Sequence, residues 1–242
     1  MSTRSLPRTV NVTAMCPFCG KEFVFTTYPE ITIPGHSKIK KQVLKKTLFF
    51  PKCPYCGEEF KLKPNCIYRN DTKKEMFIVT DRSDNEFETM MKTGDIHFND
   101  IMSDDDIAAF LKGLYIRRVV HDVDAFREKI LLSDNNYDDR IIELMKLSLS
   151  GLIEKENKTT VYRIFLEETS ANQLEFTAIM GSRPPFEYVS IKTVASVYTQ
   201  YRDKYLHMLG NPGEDEYIST DQRWAARSGL LKHENAGFII PS

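Results

Sequence analysis

The chain has 242 residues, 41% hydrophobic and 28% charged, with a formal net charge of −1. That is the composition of a soluble globular protein, one large domain or two small ones. No apolar run approaches the ~20 residues of a membrane-spanning helix, so no membrane partner is expected. Residues 1–80 carry 14 Lys/Arg against 6 Asp/Glu, a balance of +8, and the remainder carries 19 against 28, a balance of −9. The change of sign places a domain boundary near residue 80.

Residues 1–10 read as a loose arm; Arg4 and Arg8 are followed by no apolar leader segment, so a cytoplasmic protein is expected. Asn11 to Met15 reads as a short strand leading into Cys16-Pro17-Phe18-Cys19-Gly20. The β-branched and aromatic run Phe23 to Tyr28 is its return strand. Pro29 and Pro34-Gly35 punctuate the chain. Lys38 to Lys46 fits a short helix with Ile39, Val43 and Leu44 on its apolar side. Phe49-Phe50 then enters Cys53-Pro54-Tyr55-Cys56-Gly57, and Phe60 to Leu62 leaves it. Cys66 to Tyr68 and Met76 to Val79 add strands joined by a turn at Asn70 to Lys73. The expected plan is a knuckle and hairpin made twice around one metal.

Residues 81–106 hold nine Asp/Glu against Arg82 and Lys92 and read as an acidic linker or loop. Ser103 and Asp104 to Asp106 mark a helix start before Ile107 to Leu111, with Gly113 as its end. Tyr115 to Val120 reads as a strand. Helices are expected over about Val123 to Leu132 and Asp138 to Glu156, the second with a broad apolar face from Ile141 to Ile153. Val161 to Leu166 and Leu174 to Met180 form a hairpin. Gly181 to Pro185 is a rigid loop, and Ile191 to Leu209 a further helix with Val194, Val197, Tyr198, Tyr201, Tyr205 and Leu209 as apolar positions. The tail carries Trp224 and a final apolar Phe238-Ile239-Ile240. The fold class is α+β: a zinc-ribbon-like, β-rich domain over 1–80, the acidic stretch 81–106, and a mixed α+β domain over 107–242.

The chemistry is concentrated in the two knuckles. Each is C-P-aromatic-C-G, and 33 residues separate the pairs. Cys16, Cys19, Cys53 and Cys56 supply the four thiolates of a tetrahedral zinc site. Glycine after the second cysteine permits positive φ, so that backbone N–H groups turn toward sulfur. Four sulfurs close the tetrahedron, so one structural zinc per chain is expected. An iron–sulfur centre uses the same ligands and stays open from sequence; a redox C-x-x-C pair fits less well, because two pairs occur and both lie among strands. Five cysteines, an odd number, suit bound metal in a reducing compartment better than disulfides. Cys66 reads as a small buried hydrophobe. The five histidines fall in no ligand spacing.

These knuckles, the strand Glu22 to Thr27, the 33-residue insert with its short helix, and Cys66-Ile67-Tyr68-Arg69-Asn70-Asp71 resemble the CpXC domain, a bacterial and archaeal family named for this paired motif. The resemblance covers roughly residues 10–80, and the segment from Val119 to Lys146 also looks like a family region. By that resemblance Cys16, Cys19, Cys53 and Cys56 are the family cysteines. The family brings no reaction with it.

Lys38, Lys40, Lys41, Lys45 and Lys46 lie in a 15-residue stretch with six lysines and no acid. With nearby aromatics they could contact nucleic acid or a partner, although a solvated helix face explains them too. Asp104 to Asp106, and Asp138 with Asp139, read as helix-end acids rather than catalytic ones. No P-loop, dinucleotide fingerprint, G-x-S-x-G or kinase set is present. The expected function is that of a zinc-binding interaction or adaptor module with a protein partner. A nucleic-acid-binding zinc ribbon, RNA- or ribosome-associated, is the alternative, and an enzyme with an unrecognised site in the C-terminal half the third reading.

Overall fold

A computed structural model describes residues 7–63, 65–83, 86, 115–211 and 219–231. The chain forms two compact units, Met1–Arg127 with Pro212–Ser219, and Glu128–Asn211 with Thr220–Ser242. Helices and small sheets are interspersed in an α+β arrangement, as expected.

The first unit opens with β1 (Val10–Met15) and β2 (Glu22–Thr27), an antiparallel ribbon in which Met15 faces Glu22 and Val10 faces Thr27. Its second sheet has the order β3 (Glu30–Ile33), β4 (Cys66–Asn70), β5 (Glu75–Val79), β6 (Ile116–Val120). Only β4 and β5 form the expected hairpin; β3 joins β4, and β6 joins β5, in parallel. Strands buried on both faces carry near-continuous apolar runs, which is why Met76–Val79 is buried throughout. Helix α1 (Ser37–Leu44) buries Ile39 and Val43. Tyr68 packs between Phe77, stacked at 5.3 Å, and Phe126, edge-on at 5.8 Å.

Two expectations for this unit need correction. The second knuckle is not followed by a hairpin of its own: a single bridge, Lys52 to Glu59, stands in place of strands, and the strands beyond it belong to the other sheet. Glu30–Ile33, given no element between the punctuating Pro29 and Pro34, is a strand. Its four residues pair along their whole length with Ile67–Asn70, and long-range pairing outweighs the weak local signal.

Helix α2 (Val123–Asp134) begins in the first unit and ends in the second. The second unit continues with α3 (Asp139–Asn157), the meander β7 (Val161–Thr169), β8 (Gln173–Met180) and β9 (Glu187–Val194), α4 (Ala195–Tyr205), a 3-10 turn (Leu206–Met208) and α5 (Gln222–Ser228). Asp138 caps α3 by accepting from the Arg140 N–H. The core gathers Ile141, Leu144 and Met145 of α3, Leu174, Phe176 and Ala178 of β8, and Val197, Tyr198 and Tyr205 of α4. β8 alternates buried and half-buried residues without exception, the pattern of a sheet with one face on a core.

The helix expected over Ile191 to Leu209 begins later. Ile191–Val194 completes β9, pairing residue for residue with Gln173–Phe176. Val189, Ile191, Thr193 and Val194 are β-branched and favour strand, so Val194 is exposed instead of lining the helix. The Ile107 to Leu111 helix, most of the acidic stretch and the Phe238 to Ile240 segment lie outside the described residues.

Candidate metal centre

Both knuckles use one hydrogen-bond plan. Cys16 N–H donates to Lys21 O at 3.0 Å and Gly20 N–H to Cys16 O at 2.9 Å; Cys53 N–H donates to Glu58 O at 2.8 Å and Gly57 N–H to Cys53 O at 3.0 Å. The turns close with Gly20 at φ +71° and Gly57 at φ +78°. A Cβ would meet nothing within 4 Å at Gly20 and only the Lys52 Cε, at 3.8 Å, at Gly57. Glycine is therefore needed for the backbone conformation and not for space.

This plan brings the four sulfurs together. Their Sγ atoms all lie within 4.8 Å of one another, with Cys16 to Cys56 at 3.6 Å and Cys19 to Cys53 at 3.7 Å. Those separations exceed the ~2.05 Å of a disulfide. A regular tetrahedron of thiolates about 2.3 Å from a zinc ion has edges of about 3.8 Å, so the cluster is the right size to hold a metal ion. Cys16 and Cys53 are buried, while Cys19 and Cys56 lie nearer the surface.

Cys53 and Cys56 are pushed in opposite directions and do not ionise together. Burial pushes Cys53 up, but N–H groups of Cys56 and Tyr55 and the Cys56 and Cys16 thiols outweigh it and pull Cys53 down to about 6. At Cys56 the Glu58 N–H pulls down, yet burial and the thiols of Cys53, Cys16 and Cys19 together push it up to about 12. Four thiolates would crowd like charge into this space, and a bound cation would offset it.

Two further contacts tie the knuckles together. Lys21 Nζ lies 4.9 Å from the centre of the Tyr55 ring, and Phe23 meets Phe60 edge-on at 6.0 Å. The residue before the second cysteine of each knuckle is an exposed aromatic: Phe18 is 63% and Tyr55 57% accessible, and Met15 and Val24 are also exposed.

Cys66 is separate from the cluster. It is fully buried in β4, and burial pushes its thiol far up. His36 Nδ1 accepts from Thr32 N–H at 3.0 Å, and His121 Nε2 lies 3.1 Å from Ser219 Oγ. The five candidate lysines divide. Lys38, Lys41 and Lys45 are exposed, while Lys40 and Lys46 are half-buried and Lys46 Nζ lies 3.8 Å from Asp124. Asp138 binds Arg140, and Asp139 pairs with Lys129 at 2.7 Å, so both serve the fold. Asp104 to Asp106 lie outside the described residues.

The CpXC family model, described as CpXC protein, matches residues 14–146. The chain belongs to the CpXC family. The CpXC match takes in all four cysteines, the lysine-bearing insert, both sheets of the first unit except the start of β1, and α2 with the opening of α3. No curated protein and no solved structure matches the chain.

One ionic group escaped sequence reading. Glu128, Glu143 and Lys146 are all buried. Lys146 Nζ donates to Glu143 Oε1 at 2.8 Å and to Glu128 Oε2 at 3.0 Å, and Glu128 Oε1 also accepts from the Leu166 N–H. The available signal was an acid and a lysine three apart, with apolar Ile141, Ile142, Leu144 and Met145 around the acid.

Proposed function

We propose that Cys16, Cys19, Cys53 and Cys56 hold one zinc ion as a structural clamp, and that the metal-bearing unit is an interaction module for a protein partner in the cytoplasm. The size of the sulfur tetrahedron carries the zinc reading. Four sulfur ligands leave no position for a reacting water, and soft thiolates suit zinc. The interaction reading rests on the aromatic side chains of Phe18 and Tyr55, which stand exposed beside a clamp that fixes both turns. Aromatic anchors on a rigid support are common centres of binding energy.

Elemental analysis of protein purified without chelator tests the first part. One zinc per chain is expected, unchanged in Cys66→Ala and lost in Cys56→Ser; iron or no metal would refute it. For the second, a native-host pull-down with wild type is compared with a Phe18→Ala/Tyr55→Ala variant that retains zinc. A partner bound equally by both excludes the aromatic face.

Nucleic-acid binding is a second reading, favoured by the exposed stripe of Lys38 and Lys41 on α1 and Lys45 at its C-cap. Residues 3 and 7 apart share one helix face.

A further inference from the structure

The two edges of the second unit's sheet differ sharply. β7 is broken by irregularities between Val161 and Arg163 and between Leu166 and Glu168. Two of its N–H groups are taken by carboxylates: Val161 by Glu154 at 2.9 Å and Leu166 by Glu128 at 2.7 Å. Bulges and side-chain cover are standard ways of closing a sheet edge to other strands. β9 has neither. Its eight residues pair with β8 in unbroken register, and among the described residues no strand lies on its other side. Its sequence, Glu-Tyr-Val-Ser-Ile-Lys-Thr-Val, contains no proline or glycine and one lysine. Tyr188 is 68% exposed and Val189 37%. A long, regular, β-branched edge of this kind is a template for strand addition.

We propose that β9 pairs with β9 of a second copy of this chain, antiparallel, to make one continuous six-stranded sheet. The strand's own sequence complements itself in this arrangement. A two-fold axis perpendicular to the sheet keeps both cores on one side, so odd-numbered residues must face odd-numbered ones. Centring the axis on Lys192 would oppose two lysines. Centring it on Val189 or Ile191 opposes no like charges but sets no aromatic ring of the strand across from Lys192; centring it on Ser190 opposes none either. It sets Val189 against Ile191 on the core side and Tyr188 against Lys192 on the outer side, each pair made twice. Apolar and aromatic–cation pairs directly across strands stabilise sheets. The small Ser190 then meets its own copy at the axis.

The test uses the full chain. Wild type should sediment at twice its 28.0 kDa. Ser190→Lys places like charges opposite each other at the axis and should give a monomer with an unchanged far-ultraviolet circular dichroism spectrum; Glu175, which accepts from Ser190 Oγ at 2.9 Å, already pairs with Lys192 at 3.4 Å, so one acid does not neutralise both cations. Ser190→Cys should form a covalent dimer under mild oxidation, because opposed residues in an antiparallel pair lie within disulfide reach. Thr177→Cys in the central strand is the control. A monomeric wild type, a Ser190→Lys protein that remains dimeric, or cross-linking of Ser190→Cys no faster than of Thr177→Cys would each overturn the proposal.

Discussion

Lys146 Nζ lies 2.8 Å from Glu143 Oε1 inside the second unit, with both side chains almost wholly removed from water. Glu128 completes a group of two acids and one base. Removing the base leaves two carboxylates buried and unpaired, at a cost of about 3–5 kcal/mol. Lys146→Met is expected to lower the urea midpoint by that amount of stability. Replacing all three residues with apolar ones of similar size is expected to recover most of the loss, because the pair must offset its own desolvation.

The same group sets a pH dependence. Burial, reinforced by Glu128 and opposed by Lys146 and Lys129, pushes Glu143 from its ordinary 4.5 up to about 7. Between those values the folded chain holds a proton that the unfolded chain releases. Its contribution to stability is therefore full below pH 4.5 and is lost as pH rises toward 7, with a slope of at most about 1.4 kcal/mol per pH unit. Urea unfolding of wild type and Glu143→Gln at several pH values checks this: the variant should lack the slope.

The knuckle glycines supply a metal-linked prediction. At φ +71° and +78°, alanine costs about 1–2 kcal/mol. If the cluster holds zinc as proposed, Gly20→Ala and Gly57→Ala should each weaken its retention by about 5- to 30-fold, a factor of ten corresponding to about 1.4 kcal/mol. Competition against a zinc-binding dye reads this directly. The helical circular dichroism of the second unit should persist after chelation, since its core draws on none of the four cysteines.

The four-sulfur cluster was legible because its signal is local. Two identical turns, each needing a glycine at one place, write themselves as C-P-x-C-G, and the sulfur geometry follows. α3 was legible for the same reason: Asp138 caps it and its apolar period is long. Parallel pairs were not. β3 with β4 and β5 with β6 join residues 37 to 41 positions apart, and nothing within either strand names its neighbour. The start of α4 was misplaced because Val194 continues the apolar period of the helix while its β-branched neighbours belong to β9. Glu143 and Lys146 look like a solvated pair at helical spacing, and only the burial of every residue from Arg140 to Lys146 makes them internal.

The lysine stripe can be separated from a general basic surface. Ile39 and Val43 hold α1 against its unit, which turns Lys38, Lys41 and Lys45 outward, whereas Lys46 is drawn toward Asp124. If these three lysines contact phosphates of single-stranded RNA, each contributes about 0.7 to the slope of log affinity against log salt concentration. The triple change Lys38→Gln, Lys41→Gln, Lys45→Gln should therefore flatten that slope by about 2, while Lys46→Gln should leave it nearly unchanged. Fluorescence anisotropy with a labelled single strand over a salt series measures both. Equal slopes for wild type and the triple variant, or no binding at low salt, would remove nucleic acid as the ligand of α1. Among the described residues, the exposed aromatics Phe18 and Tyr55 would then be the remaining candidate contact in the first unit.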